Sequence, residues 1–598
     1  MAIIGIDLGT TNSLVAVYKD GGNVLVPNKF GEIFTPSVVA ADKNGDIVVG
    51  RRAKDMLITS PEAAAALFKR DMGTKKKVRL DKKSFLPEEL SSFVIRQLIE
   101  DSEGFLGEKV TEAVISVPAY FDAKKRAATK LAGQMAGITV ERLTNEPSAA
   151  ALACRGMSTA DTMYGVPTEP KDETFIVFDF GGGTLDVSVV EAFDNVISIC
   201  AISGNNYLGG SDFDNVIMKE ICVENSINIE KLSPRERQIL LSSAEKAKIE
   251  LTEKEEAAIK INISGEDIEF LLTNEKLYTI SAPIFAKIKK PIQSAINDSG
   301  LGFKDIDRCI LVGGSCHMPI VREYLEKLLR VPVIASENPE EIVAKGLGLY
   351  VGIKERAGQM KDAVLTDICP FSLNANVHNE NNPNKELAHT LIPRNSTLPI
   401  SRADRLYTLQ LGQRKMRINV NQGEEIYADD NLFLGRLDID MPYNMKEYES
   451  CEVVYYYDIN AILIVHVKVI SSGQEYKLVL TGDGLVLSDK EVEKHIAKIK
   501  SMKLAHEELA DMLYERAKAL YVQGGEDVKA YIKQLMPVLE GKGAGSIRIR
   551  KEELEIIKGN LDEIEKHLSR SDVFNRMPGF GGDKVVDIMR YLEERDEE

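Results

Sequence analysis

The sequence predicts a multidomain protein in which an α/β unit is followed by an all-β unit and then by an α-helical tail. Three observations carry that expectation. Nearly continuous apolar runs alternate with helical stretches over residues 1–361. Short strands of alternating polarity, broken by Asn, Gly and Pro turns, fill 368–487. Charged sequence of helical period occupies 488–598. At 598 residues the chain also exceeds what one hydrophobic core organises.

In the first unit FIVFDF (175–180), VISV (114–117) and CILVGG (309–314) read as strands buried on both faces, because their apolar runs hardly alternate. Helical patterns cover 234–251 and 319–329 between such strands, which predicts a largely parallel sheet. DAVLTD (362–367) reads as a short hinge. After it, YTLQLGQRKMRINVNQGE (407–424) alternates as half-buried strands do. Ser488 followed by Glu491 forms a capping box, and the 491–521 run reads as helix beyond it. Breaks are expected at GGE (524–526), GKGAGS (541–546) and PGFGG (578–582).

Composition excludes several functional classes. A formal net charge of −17 argues against a polyanionic partner such as nucleic acid, while leaving room for one small anion held by backbone N–H groups. The start MAIIGIDLGTTNS lacks a basic segment followed by an apolar run, so no signal peptide is expected. Nor does any stretch approach the roughly 18 apolar residues of a membrane helix. The seven cysteines are scattered without a Cys-x-x-Cys pair, which reads as reduced thiols in a cytoplasm. The seven histidines are equally dispersed, so a metal site built only from side chains is not expected.

One internal repeat carries chemistry. IIGIDLGTTNSLVAV (3–17) and FIVFDFGGGTLDVSVV (175–190) share a buried strand, Asp-x-Gly, a short polar turn and a returning strand. Glycine allows tight turning and close approach to a ligand, and the turn N–H groups with the Thr hydroxyls then form a phosphate cradle. Asp7 and Asp179 stand at strand ends, where a carboxylate can hold Mg²⁺ through waters. Either hairpin alone would equally suit an ordinary turn. Together they suggest a clamp that grips a triphosphate from both sides.

IGIDLGTTNS and FDFGGGTLDV resemble the two phosphate signatures of the 70-kilodalton heat-shock (DnaK-like) chaperones. VPAYF (117–121), NEPSAAALA (145–153), LGGSDFD (208–214), EKAKIEL (245–251), LVGGSCHMP (311–319) and NPEEIVAKG (338–346) follow in that family's order. The short segment between Arg70 and the helix near Glu88 is similar to the compact bacterial HscC-type subgroup. The resemblance implies an actin-like ATPase domain with duplicated halves (1–361), a hinge (362–367), a β-sandwich peptide-binding domain (368–487) and a helical lid or tail (488–598). It also implies an ATP-dependent chaperone of the stress response, using ATP/ADP with Mg²⁺ and with K⁺ as a further candidate ion. Its partners would be extended apolar peptides, a J-domain cochaperone and a nucleotide-exchange factor.

By the same resemblance, Gly9, Thr10, Thr11 and Asn12 face Gly181, Gly182 and Gly183 around the phosphates, and Asp7 and Asp179 position Mg²⁺. Lys69, in ALFKR, corresponds to the catalytic lysine; on residue type alone it would read as a solvated surface lysine. Thr184 and Asp186 stand beside the attacking water, with Glu146 among the catalytic groups. Glu245, Lys248 and Thr252, spaced i, i+3, i+7 along one helix face, would form the adenosine pocket with Gly210, Gly313, Gly314, Ser315, His317 and Glu340. Pro118, Arg126 and Glu146 correspond to a proline-centred relay to the interdomain surface, and Val364, Leu365 and Asp367 to the coupling hinge. Ala375, Leu406, Leu409, Met416 and Ile418 would line the peptide pocket, with His378 and Leu409 arching over it; on pattern alone they would read as sandwich core.

The chain departs from the family pattern at several places. His317 replaces an arginine near the adenine, Ser211 a glutamate, Lys345 a small or apolar residue and Met416 a valine. Thr366 brings a hydroxyl into the hinge where the family buries a leucine, and the ending ERDEE lacks the EEVD of eukaryotic cytosolic members. A small-molecule kinase or a filament-forming protein on the same scaffold is a competing expectation, as is a nucleotide-binding scaffold without turnover. The hinge, β-unit and tail speak against the kinase and the filament, since neither needs such an appendage.

Overall fold

A computed structural model describes residues 2–154, 172–193, 196–336, 338–355, 364–459, 462–480, 486–540 and 551–566. The hinge residues 362–363, the breaks at 541–546 and 578–582 and the final ERDEE lie outside the described residues.

The first unit is built from two sheets of matching topology. In one, Ala2–Asp7 pairs antiparallel with Asn12–Lys19 and parallel with Val110–Val117, and Gly22–Leu25 and Thr139–Asn145 extend the two sides. In the other, Glu173–Phe180 pairs antiparallel with Leu185–Phe193 and parallel with Arg308–Val312, with Val196–Asn205 and Val333–Ala335 outside them. The duplication seen in the two hairpins therefore extends to whole sheets. Both sheets are mixed, not largely parallel as the apolar runs suggested. A tight Gly-rich turn can only return its strand antiparallel, whereas a parallel neighbour needs a long crossover. The helices Pro234–Glu250 and Pro319–Leu329 stand where their patterns placed them.

Two helices, Glu146–Cys154 and Ile342–Lys354, cross between the sheets, and an apolar cluster including Ala149, Val177, Val312 and Leu347 joins the two halves there. Gly346 permits the crossing: a Cβ on it would lie 1.8 Å from the Ala149 carbonyl oxygen.

Residues 373–480 form two four-stranded antiparallel sheets that share one core, which includes Leu373, Val420, Val453 and Val465. The hinge strand Val364–Thr366 adds to the second sheet of the first unit as its sixth strand, parallel to Val196–Asn205. The Thr366 hydroxyl donates to the Ile197 carbonyl at 3.1 Å, so the docked hinge satisfies it. The sandwich also touches both halves directly. Gln422 accepts from the Ala123 N–H at 2.8 Å, and Arg394 pairs with Asp298 at 2.8 Å.

The tail differs from its sequence pattern in one respect. The 491–521 run is not one helix: Asp489–Ser501 ends, 502–508 is extended, and Leu509–Gln523 follows. The break attaches the chain to the first half. Ile47 N–H donates to Lys503 O at 2.9 Å and Ala505 N–H to Ile47 O at 2.7 Å, while Ile499 and Met502 are buried in the first-half core. Tertiary packing here overrides helix propensity, which is a weak preference by comparison. Leu509–Gln523, Glu526–Leu539 and Lys551–Lys566 then share a small core of their own around Leu513, Leu520, Ile532 and Leu561.

Candidate active site

The two hairpins meet tip to tip. A Cβ on Gly9 would sit 1.9 Å from the Asn12 carbonyl oxygen, so the first turn can close only around glycine. Across the gap, a Cβ on Gly182 would lie 1.9 Å from the Thr11 hydroxyl, and one on Gly183 would lie 2.3 Å from the Thr10 methyl. Between the halves lies a cavity of about 780 Å³ whose wall includes Asp7, Gly9, Thr10, Thr11 and Asn12 from one hairpin. Asp179, Gly181, Gly182 and Thr184 line it from the other, with Lys69 and Glu146 between. Gly183 and Asp186 stand behind this wall. Gly183 packs on Thr10, and Asp186 accepts from the Tyr120 N–H at 3.3 Å.

Lys69 is not a surface lysine. It is 3% exposed, its Nζ lies 2.7 Å from Glu146 Oε1, and the Phe121 ring is 5.8 Å away. Leu67 adopts the left-handed conformation (φ 59°) just before the 3₁₀ turn Phe68–Asp71 that carries the lysine inward. A non-glycine residue there costs about 1–2 kcal/mol, so the surrounding packing must hold it. Asp7 accepts from the Ser116 hydroxyl at 2.7 Å. Burial pushes the Asp7 carboxyl up to about 7, Glu146 adding to the rise and Lys69 opposing it. Burial and the Glu146 charge likewise push Asp186 up to about 8, and Asp179 well above the ordinary carboxylate range. Four carboxylates around one lysine make a pocket that attracts added positive charge. A divalent cation fits this donor set. Among the described residues no three His, Cys, Asp or Glu side chains form a direct metal-ligating group.

The other end of the cavity is lined by Gly210, Glu245, Lys248, Thr252, Gly313, Gly314, Ser315, His317 and Glu340. Lys248 pairs with Asp214 at 2.6 Å and donates to Gly210 O at 3.0 Å. Ser315 donates to Gly181 O at 2.8 Å, which ties this end to the second hairpin. Gly313 has φ 86°, and a Cβ there would lie 2.7 Å from Phe180 O. His317 and Glu340 pair with each other at 2.7 Å, and that hydrogen bond raises the imidazole pKa. Thr252 departs from the sequence argument. It lies beyond the helix Pro234–Glu250, in the closing turn, so its place on the wall does not come from helical spacing.

A family model for Hsp70 protein matches residues 3–83 and 74–575. The chain is 34% identical over 609 residues to the chaperone protein DnaK of Thermotoga neapolitana, covering 97% of this chain and 98% of that one. The DnaK proteins of Thermotoga petrophila and Thermotoga maritima match at the same identity and coverage. The chain belongs to the Hsp70 family.

In this Hsp70, hydrogen bonds also link residues beside the cavity to the hinge. Arg126 donates to Phe121 O at 3.0 Å and to Ala119 O at 3.3 Å, bracing the turn after the buried Pro118, and it also reaches the Asn145 side-chain oxygen. Asn145, next to Glu146, donates to Asp367 at 2.8 Å. Arg126, Asn145 and Asp367 thus form one chain of hydrogen bonds from the turn after Pro118 to the hinge, and Asn145 adjoins Glu146 of the cavity wall. Leu365 is partly buried against the cluster between the halves.

In the sandwich, Ala375, Leu406 and Ile418 are buried in the shared core with Met416 against them. Leu409 and His378 are not brought into this group. Leu409 is 60% exposed and His378 is exposed on its own loop. Leu409 instead belongs to a surface of exposed Leu411, Tyr443, Met445 and Tyr448, on two loops joined by the Gly412 N–H to Asn444 O bond of 2.6 Å.

Sequence reasoning missed several partners in this Hsp70. Arg70 donates to Gly183 O at 2.9 Å and pairs with Asp212 at 2.7 Å; Lys54 pairs with Glu245 at 3.2 Å. Asn145 and Tyr120 stood inside NEPSAAALA and VPAYF, and those motifs were the signal available. Asp214 likewise closes LGGSDFD, whereas Lys54 gave no signal, since its partner is fixed only by the fold. Of the departures, Lys345 pairs with Glu341 at 2.8 Å, while the Ser211 hydroxyl is buried without a hydrogen-bond partner among the described residues.

Proposed function

We propose that the cavity binds ATP with Mg²⁺ and that the docked hinge carries its nucleotide state to a peptide site at the loop end of the sandwich. The chain is an ATPase and an ATP-dependent chaperone, as its family membership establishes. What supports the residue-level reading is one observation: Lys69, paired with Glu146, is buried among Asp7, Asp179 and Asp186 where two duplicated hairpins meet.

In this reading Thr10, Thr11, Asn12 and the glycines of both hairpins hold the phosphates by backbone and hydroxyl groups. Asp7 and Asp179 hold a hydrated Mg²⁺, which supplies charge neutralisation on the phosphates when bound. Lys69 orients the terminal phosphate and offsets charge that grows on it, while Glu146 holds the ammonium in place. Thr184 and Asp186 orient the attacking water. Lys248, Glu245, Ser315 and the His317–Glu340 pair shape the nucleoside end. Leu406, Met416 and Leu409 present apolar surface to an extended peptide. The structure-independent parts of the reading are a cytoplasmic location, the compact HscC-type subgroup, K⁺ as a companion ion, and J-domain and exchange-factor partners. No helix among the described residues is long and apolar enough to cross a membrane.

The test is ATP turnover with no phosphoryl acceptor added. Turnover that rises with unfolded apolar peptide supports the reading. Turnover that needs a sugar or another small acceptor would replace it with a kinase.

A further inference from the structure

The tail helix Leu509–Gln523 touches both halves of the nucleotide domain. On one side it lies along Arg51–Thr59, where the Thr59 hydroxyl donates to Glu515. On the other, Ala519 is buried in the core of the second half, and Gln523 accepts from Lys246 of the helix Pro234–Glu250 at 3.0 Å. Glu565, on the last described helix, closes the crossing. Its carboxylate meets Arg51 of the first half, Lys246 of the second at 3.6 Å and Arg516 of the tail at 2.5 Å. Burial alone would raise the Glu565 pKa; the three cations outweigh it and hold the carboxyl well below its ordinary range. Arg516, Leu520, Gln523 and Glu565 lie in the wall of the same cavity as Lys54, Glu245 and Thr252.

A ligand held between two halves leaves when the halves part or when a wall lifts. Contacts made only in the closed form raise the free energy of opening and so slow both entry and exit. Without the tail, the halves meet at this mouth through the Lys54–Glu245 pair and through Ile58, which is buried in the core of the second half; the tail adds Glu565 and Gln523 to that bridge.

We propose that the C-terminal helical unit is a wall and a clasp of the nucleotide cleft, with Glu565, Arg516 and Gln523 tying the two halves together so that nucleotide exchanges only when this unit lifts. The proposal rests on the reading of the cavity as an ATP/ADP site. It makes nucleotide residence a property of the tail as well as of the hairpins, and any partner that opens the cleft from this side must first displace the tail.

The test uses the full chain loaded with radiolabelled ADP and Mg²⁺, chased with excess unlabelled ADP. Glu565→Gln removes the charge that all three cations share, and release should be about tenfold faster or more. Gln523→Glu replaces the neutral amide acceptor of the Lys246 ammonium with a carboxylate, turning the hydrogen bond into an ion pair, and release should be several-fold slower. Opposite directions in two tail variants cannot come from general loss of structure. Equal release from all three proteins, or faster release from both variants, overturns the proposal. A wild-type chain that retains no ADP overturns the nucleotide reading itself, and the clasp with it.

Discussion

Lys69 is a cation that the fold places among carboxylates whose charges it only partly offsets. Its contribution should therefore grow as charge moves onto a terminal phosphate, and should be small while nucleotide is merely bound. Lys69→Ala is expected to lower single-turnover hydrolysis by about 10²–10³-fold with far less effect on nucleotide affinity. Thr184→Ala should behave alike. Parallel measurement of affinity and turnover checks both, and equal losses in the two would contradict the assignment. The same site sets a pH dependence. Asp7 and Asp186 titrate near 7 and 8 in the folded, cation-free protein, against an ordinary value of 3.8. The folded state then binds more protons than the unfolded state between about pH 4 and 8, so the free protein loses stability as pH rises through that window. In the proposed reading Mg²⁺-nucleotide is held by the ionised carboxylates, so its affinity should rise with pH. Titrations between pH 7 and 9, above the range where the nucleotide's own phosphates lose protons, should show tighter Mg²⁺-ADP binding at higher pH. Binding that is flat or weakens would contradict the role given to these carboxylates.

Among the elements, the crossing of Glu146–Cys154 with Ile342–Lys354 is the joint between the halves, and Gly346 sets its distance. In an exposed helix Gly→Ala would stabilise by about 1 kcal/mol. Here the new Cβ would meet the Ala149 carbonyl at 1.8 Å, a backbone atom that cannot swing aside. Gly346→Ala should therefore destabilise by about 1–3 kcal/mol. It should also disturb Glu146 at the head of the crossing helix, so the check is thermal unfolding together with ATP turnover. An unchanged melting temperature would mean that the crossing relaxes freely. The two hairpins were legible in sequence because a strand, an acid, a glycine turn and a returning strand are all local. The mixed sheets, the extended 502–508 segment and the place of Thr252 were not legible, because each depends on which distant backbone is near. Lys69 shows the limit most clearly: residue type says surface, and only the left-handed Leu67 and the packing around it turn the side chain inward. In the sandwich, the plain core alternative suits Ala375, Leu406 and Ile418, which are buried, but not Leu409, which is exposed. That alternative carried no information on Tyr443 or Met445, whose exposure follows from the loop geometry.

The whole molecule is held together by contacts that either half could lose. The hinge strand Val364–Thr366 is hydrogen-bonded to the edge of the second sheet, Asp367 joins the Arg126–Asn145 chain, Glu89 in the first half holds His495 and Lys498 of the tail at 2.8 Å, and Arg394 bridges to Asp298. A state so docked can differ by a few kcal/mol from an undocked one, and a ligand shifts the balance only through its differential affinity for the two. Reciprocity then requires that if ATP weakens peptide binding, peptide weakens ATP binding by the same factor. Leu365 is the hinge side chain that, among the described residues, packs against the cluster between the halves, so Leu365→Asp places a charge in that contact and favours undocking. The central claim is that nucleotide governs peptide affinity through this docked hinge. Its most direct measurement is the dissociation rate of a labelled apolar peptide from wild type and from Leu365→Asp, each with ADP and with ATP. The account predicts that ATP accelerates release from wild type and fails to do so in the variant, while both proteins still bind ATP and peptide. Undiminished acceleration in Leu365→Asp, or no acceleration in wild type, would contradict it.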